Sequence, residues 1–189
     1  MSWTQSIAPE HAAADVKATF EAIRARSSRQ EVSNIWRALA ADPATLAGAF
    51  GHYARLLEDP SPLTPAQVQL LALVVSATNG CGYCVSHAAP RLAALVGEEL
   101  ARAVARDYRE ANLTARDRVL LDAAVAMTCE PAERKAEDVE RLREYGFEDA
   151  GIVKATAIAA YYNNINRMVS ALGVELESER TAWEFGAQR

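Results

Sequence analysis

Apolar residues recur at three- and four-residue spacing in nearly every stretch of this chain, and no stretch shows a convincing two-residue alternation of a half-buried strand. That periodicity leaves an all-α fold as the expectation. Only 9 glycines and 7 prolines interrupt 189 residues, and abundant alanine adds helix propensity. The pattern predicts helices over approximately Glu10 to Arg26, Arg29 to Ala41, Pro43 to Leu57, Pro65 to Thr78, Gly82 to Val96, Glu98 to Arg109, Ala115 to Thr128, Ala132 to Tyr145 and Asp149 to Leu172. Several starts carry caps. Asp42-Pro43 and Thr64-Pro65 put a capping side chain before a first-turn proline, while Thr64 with Gln67 and Thr114 with Asp117 read as capping boxes. The segment Glu58-Asp59-Pro60-Ser61-Pro62-Leu63 cannot continue a helix. It is expected to join an N-terminal helical layer, residues 1–62, to a core over 63–174, followed by a tail over 175–189, all in one compact domain. Trp36, Phe50 and Tyr53 fall at helical spacing in the N-terminal layer and read as packing residues.

Sliding the chain against itself by 50 residues aligns Leu63-Thr64 with Leu113-Thr114, Leu70-Leu71 with Leu120-Leu121, Val75 with Val125, Thr78 with Thr128 and Arg91-Leu92 with Arg141-Leu142. A helical unit of about 50 residues is therefore expected twice. The first copy carries Asn79-Gly80-Cys81-Gly82-Tyr83-Cys84 between its helices, where the second has Cys129-Glu130-Pro131. Packing of the unit does not require the two cysteines.

A net charge of −5, with no Lys/Arg run to offset it, opposes binding to a phosphate backbone, so nucleic acid is not an expected partner. The longest strongly apolar run, Leu70 to Val75, is too short to span a membrane, and the first residues lack the basic start and apolar stretch of a signal peptide. The reading is a cytoplasmic protein. In that compartment a Cys-x-x-Cys pair points to redox or metal chemistry rather than to a staple.

A thiol attacks as thiolate, and an unperturbed cysteine is only about 3% ionised at neutral pH. Here Asn79-Gly80 ends one helix and Cys81 to Cys84 begins the next, which sets the sulfurs beside unpaired backbone N–H groups and the positive end of the helix dipole. Two intervening residues allow a small disulfide ring, with Gly82 relieving crowding. His87, three residues after Cys84, falls on the same helix face as a proton partner. Tyr83 offers a hydroxyl or an apolar lid. Zinc held by Cys81, Cys84, His87 and Cys129 is the rival reading, but two successive i, i+3 steps rotate Cys81 away from His87, and no second ligand pair completes a site. No metal or cofactor is expected. Asn163, Asn166 and Arg167 form a polar cluster late in an apolar helix, for which solvent exposure is the default and hydrogen bonding to the dithiol helix the alternative.

The residues Leu63-Thr64, Leu70 to Ala77 and Asn79-Gly80-Cys81-Gly82-Tyr83-Cys84-Val85-Ser86-His87, with Tyr162-Asn163-Asn164-Ile165-Asn166-Arg167-Met168 and Ala171-Leu172-Gly173-Val174 downstream, resemble the alkylhydroperoxidase D-like proteins of the carboxymuconolactone decarboxylase superfamily. The downstream part is similar to the branch of uncharacterised peroxidase-related proteins. The resemblance implies an all-helical fold, homo-oligomeric assembly as dimer, trimer or hexamer, and reduction of hydroperoxides at the dithiol. Cys84 would attack the peroxide, Cys81 would resolve it as a disulfide, and a dithiol protein or small thiol would return the electrons. The family's proton relay adds a glutamate twelve residues before the first cysteine and a histidine four after the second. Here those positions hold Gln69 and Ala88, with His87 one residue earlier, a step that turns a side chain by about 100°. Gln69 cannot exchange a proton near neutral pH. A redox-sensing or structural oligomer without turnover, and lactone chemistry of the decarboxylase type, are the alternatives to peroxidase activity.

Overall fold

A computed structural model describes residues 2–27 and 29–188 and contains, among them, nine α-helices and no strand. These are α1 (Ala14–Arg26), α2 (Asn34–Leu39), α3 (Pro43–Glu58), α4 (Pro65–Thr78), α5 (Gly82–Val96), α6 (Glu98–Asp107), α7 (Ala115–Cys129), α8 (Ala136–Glu144) and α9 (Asp149–Ala171). The all-helical expectation holds, and α4 and α5 begin and end where the sequence puts them. Three helices start later than the periodicity suggests. Pro9–His11 is a separate 3-10 turn, and the extended backbone at Ala12 and Ala13 delays α1 to Ala14. The stretch from Arg29 is helical only from Asn34, after Ser33 in extended conformation. Between Ala132 and Tyr145, Arg134 and Lys135 are extended, and the Asp138 carboxylate accepts the Lys135 N–H at 2.9 Å, so α8 starts one turn late.

The chain forms two compact units, one from residues up to Glu58 with Met168–Arg180, the other from Asp59–Arg167 with the residues from Thr181 onward. The chain passes between them at Glu58–Asp59, at Arg167–Met168 and at Arg180–Thr181. In the first unit α1 buries Val16, Phe20 and Ile23 along one stripe, and Trp36 packs edge-on against Phe50 and Tyr53 with ring centroids 5.6 and 5.7 Å apart. The returning segment is tied to α2, where the Asn34 N–H donates to the Glu177 carboxylate at 2.7 Å, and Arg180 pairs with Glu31.

The second unit is organised around α4. Leu70, Leu71, Leu73, Val74 and Val75 are all 3% exposed or less, and each such side chain contributes about 1.5–3 kcal/mol by leaving water. Helices α5, α6 and α7 pack on it. Thr64 and Gln67 form the expected capping box at its start, and Thr114 accepts the Asp117 N–H at the start of α7. Gln67 Nε2 donates to Asp117 Oδ1 at 2.8 Å, which joins two residues 50 apart in sequence. Thr78 and Thr128 repeat the offset, each donating its hydroxyl to the carbonyl four residues earlier. No helix among the described residues is long and apolar enough to cross a membrane.

Candidate functional site

The turn between α4 and α5 places both cysteines. Gly80 sits at φ +70°, a conformation that favours glycine, and lets the chain double back. The Gly80 N–H donates to Ala77 O at 3.0 Å and the Cys81 N–H to Ser76 O at 2.9 Å, closing α4 with a Schellman turn. Cys81 is then also the N-cap of α5, its carbonyl accepting the Val85 N–H at 2.9 Å. One residue ends one helix and starts the next, and Cys84 follows in the first turn of α5.

Both thiols are free and buried, Cys81 at 3% exposure and Cys84 at 7%. They hydrogen-bond each other. The Cys84 thiol and the Cys84 backbone N–H, both directed at the Cys81 sulfur, hold the Cys81 thiol below the usual cysteine range despite its burial. The Cys84 thiol is pushed well above that range by its hydrogen bond to Cys81, by burial and by the charge Cys81 would carry. The two thiols titrate as a coupled pair, with charge favoured on Cys81 and disfavoured on Cys84.

Asn166 of α9 is the side chain that reaches both sulfurs, and its hydrogen bonds favour the thiolate on each. It is 1% exposed, so the default expectation of solvent exposure is corrected at this residue and the alternative, contact with the dithiol helix, holds. Its stripe gave the signal: Tyr162 and Val169, four residues before and three after, are buried too. Asn166 Nδ2 donates to Ser76 Oγ at 3.1 Å, while Asn166 Oδ1 accepts from Asn79 Nδ2 at 2.9 Å. Asn79, beside the Schellman turn, donates equally to Asn163 Oδ1 at 3.1 Å. Arg167 stays exposed.

His87 is half-buried and stacks on Tyr83, one turn back on α5, with ring centroids 4.5 Å apart. Ala88, at the position of the family's histidine, is buried at 3%. Gln69 lies on α4 seven residues before Ser76, a separation that turns a helix through about 700° and so returns to nearly the same face. Its Oε1 is shielded and makes no hydrogen bond within the protein. Cys129, at the end of α7, is exposed. Among the described residues no three His, Cys, Asp or Glu side chains come together as a metal site would require.

The tail supplies a cover that sequence reasoning missed. Ser86 of α5 accepts the Trp183 N–H at 3.0 Å, and a Cβ at Gly82 would stand 3.4 Å from the Phe185 ring. Gln188, fully buried, accepts the Tyr108 N–H at 3.0 Å and donates to the carbonyls of Ala105 and Arg106, which caps the end of α6. Trp183 and Phe185 thus lie against α5, and Gly186 and Gln188 against the end of α6.

The sequence model of the carboxymuconolactone decarboxylase family matches residues 43–106. An uncharacterized peroxidase-related protein from Silicibacter sp. TM1040 is similar in structure, at 31% identity and a TM-score of 0.80 over 87% of this chain and 86% of that chain. Another, from Ralstonia eutropha JMP134, described as an alkylhydroperoxidase AhpD core, is 26% identical with a TM-score of 0.84 over 94% and 93% of the two chains. The debrominase Bmp8 bound to 2,3,4-tribromopyrrole shares the fold at 17% identity, with a TM-score of 0.79 over 93% of this chain and 91% of its own. No curated protein matches the chain.

Proposed function

Because the chain belongs to the carboxymuconolactone decarboxylase family, among its AhpD-like, peroxidase-related members, we propose that it is a thiol-dependent peroxidase working through Cys81 and Cys84. One observation carries this reading. Two free, buried thiols at the start of α5 lie within hydrogen-bond reach of each other, and their surroundings favour negative charge on Cys81 over Cys84. A staple or an inert core cysteine needs neither property.

A proton shared within this pair also answers the departures at Gln69 and Ala88. In the resting pair Cys84 donates to the Cys81 thiolate. Passage of that proton to Cys81 leaves the thiolate on Cys84, the attacking sulfur that the family resemblance implies. Cys84 attacks the terminal oxygen of the hydroperoxide, the S–O bond forms, the O–O bond breaks, and an alkoxide leaves. The Cys81 thiol returns the proton to the alkoxide, giving the alcohol and restoring the Cys81 thiolate. Cys81 then attacks the Cys84 sulfenic acid, forming the disulfide and releasing hydroxide. Two electrons from a dithiol protein or a small thiol reset the pair. His87 exchanges protons between the site and solvent, a secondary role in which Tyr83 holds its ring, and Gln69 offers an unpaired acceptor.

The test is hydroperoxide consumption coupled to a dithiol donor. Turnover abolished in both Cys84→Ser and Cys81→Ser supports the proposal; turnover no higher than in Cys84→Ser, with hydrogen peroxide and with alkyl hydroperoxides, rejects it. The burial of both sulfurs favours a second reading, a redox-sensing protein whose thiols oxidise once without turnover. Oxidation by stoichiometric peroxide with no catalytic cycle under any donor would select it.

A further inference from the structure

Asn163 touches neither sulfur, yet its surroundings dictate how the amide next to the sulfurs must point. The Asn163 side-chain nitrogen lies 3.1 Å from the Ala159 carbonyl, a group that can only accept. It also donates at 2.9 Å to Thr128 Oγ, whose own proton is committed to Ala124 O at 2.7 Å. On its other side, Asn163 Oδ1 accepts from the Arg167 guanidinium at 2.9 Å, a group that can only donate. Both ends therefore fix the same amide orientation. With oxygen facing Asn79, Asn79 must present its nitrogen, whose two N–H groups go to Asn163 Oδ1 and Asn166 Oδ1. Asn166 is then left with its nitrogen facing Ser76 and the thiols.

We propose that Asn163 and Arg167 are positioning residues: they set the direction of an amide chain, Asn163 to Asn79 to Asn166, that turns the Asn166 N–H toward the dithiol and keeps its carbonyl away. Without the anchor, Asn79 and Asn166 could both rotate by half a turn and still pair with each other, and the sulfurs would then meet a carbonyl oxygen, which opposes a thiolate. The charged group in the chain is Arg167, at its surface end; His87 lies on the dithiol helix, stacked on Tyr83. The inference rests on the dithiol being the reactive site, but its test reads thiol ionisation and needs no turnover. A protein without peroxidase activity could still pass it, and an active peroxidase could fail it.

The experiment measures iodoacetamide alkylation of Cys81 in the full chain against pH, with peptide mapping, for wild type, Asn163→Leu, Asn79→Asp and Arg167→Met, with exposed Asn164→Leu as control. The expected result is a pH midpoint raised in the first three variants and unchanged in the control, with alkylation at neutral pH slowed about tenfold in Asn163→Leu, the effect of one lost hydrogen bond to a charged group. Circular dichroism reports folding. If Asn163→Leu does not fold, the surface variant Arg167→Met reads the same direction with a smaller shift. A wild-type midpoint in folded Asn163→Leu, or in Arg167→Met where that variant stands in, overturns the proposal, even if Asn79→Asp alone moves it.

Discussion

Replacing Cys84 by alanine removes the group with the largest influence on the acidity of Cys81, and the consequence can be worked out. The Cys84 thiol and N–H both point at the Cys81 sulfur, and burial works against them. Alanine keeps the N–H and deletes the thiol. A hydrogen bond to a charged acceptor is worth about 1.5–3 kcal/mol, so the thiolate population of Cys81 below its midpoint drops about ten- to a hundredfold. Serine keeps a hydroxyl donor and loses less. The assay is the rate of Cys81 alkylation by iodoacetamide between pH 5 and pH 10 on about a unit grid, with the midpoint rather than the plateau compared, since a smaller side chain also changes access. An upward displacement in Cys84→Ala that is larger than in Cys84→Ser is expected. The reverse variant, Cys81→Ala, brings the Cys84 midpoint down without returning it to the ordinary range, because burial still opposes the charge. A Cys81 midpoint that does not move in Cys84→Ala would refute the shared-proton reasoning.

His87→Gln retains peroxide turnover within about tenfold of wild type, less than the usual 10²–10⁴ for a lost acid-base group, because the cysteine pair supplies the proton itself; steady-state kinetics decides it. Gln188→Leu leaves the Tyr108 N–H and the Arg106 carbonyl without their Gln188 partners and lowers the urea midpoint by the equivalent of about 1–3 kcal/mol. Tyr108, buried and donating to Asp122 at 2.8 Å, has its pKa raised, burial being the larger cause and Asp122 the next. Its neutral form is thus favoured in the fold, a stabilisation fully present below about pH 10 and lost as pH rises beyond it. Tyr108→Phe makes urea midpoints less dependent on pH above about pH 10.

The helices whose ends are written in side chains were readable. Thr64-Pro65 starts α4, and Asn79-Gly80 ends it at a turn that only a glycine accommodates easily, so the position of the dithiol between α4 and α5 follows from local chemistry. Where ends depend on carbonyl partners, periodicity overran: nothing in an alanine-rich pattern signals that Ala12 and Ala13, or Arg134 and Lys135, run extended. The cysteines stood out as residues, but their environment did not. Asn166 meets Ser76, ninety residues away, and Asn79, eighty-seven away, and spacing within one helix reveals neither contact. The polar residue on the buried stripe of Tyr162 and Val169 was the available clue. Gln188 gave none, since a terminal glutamine carries no periodic signal.

Peroxide reduction at the dithiol is tested most directly by treating the reduced protein with one equivalent of hydroperoxide and mapping its cysteines. The account predicts a Cys81–Cys84 disulfide, the loss of two hydrogens, one equivalent of alcohol, and Cys129 still free. In Cys81→Ser it predicts a sulfenic acid trapped on Cys84. Peroxide left unconsumed, or oxidation at Cys129 with Cys81 and Cys84 still reduced, would contradict it.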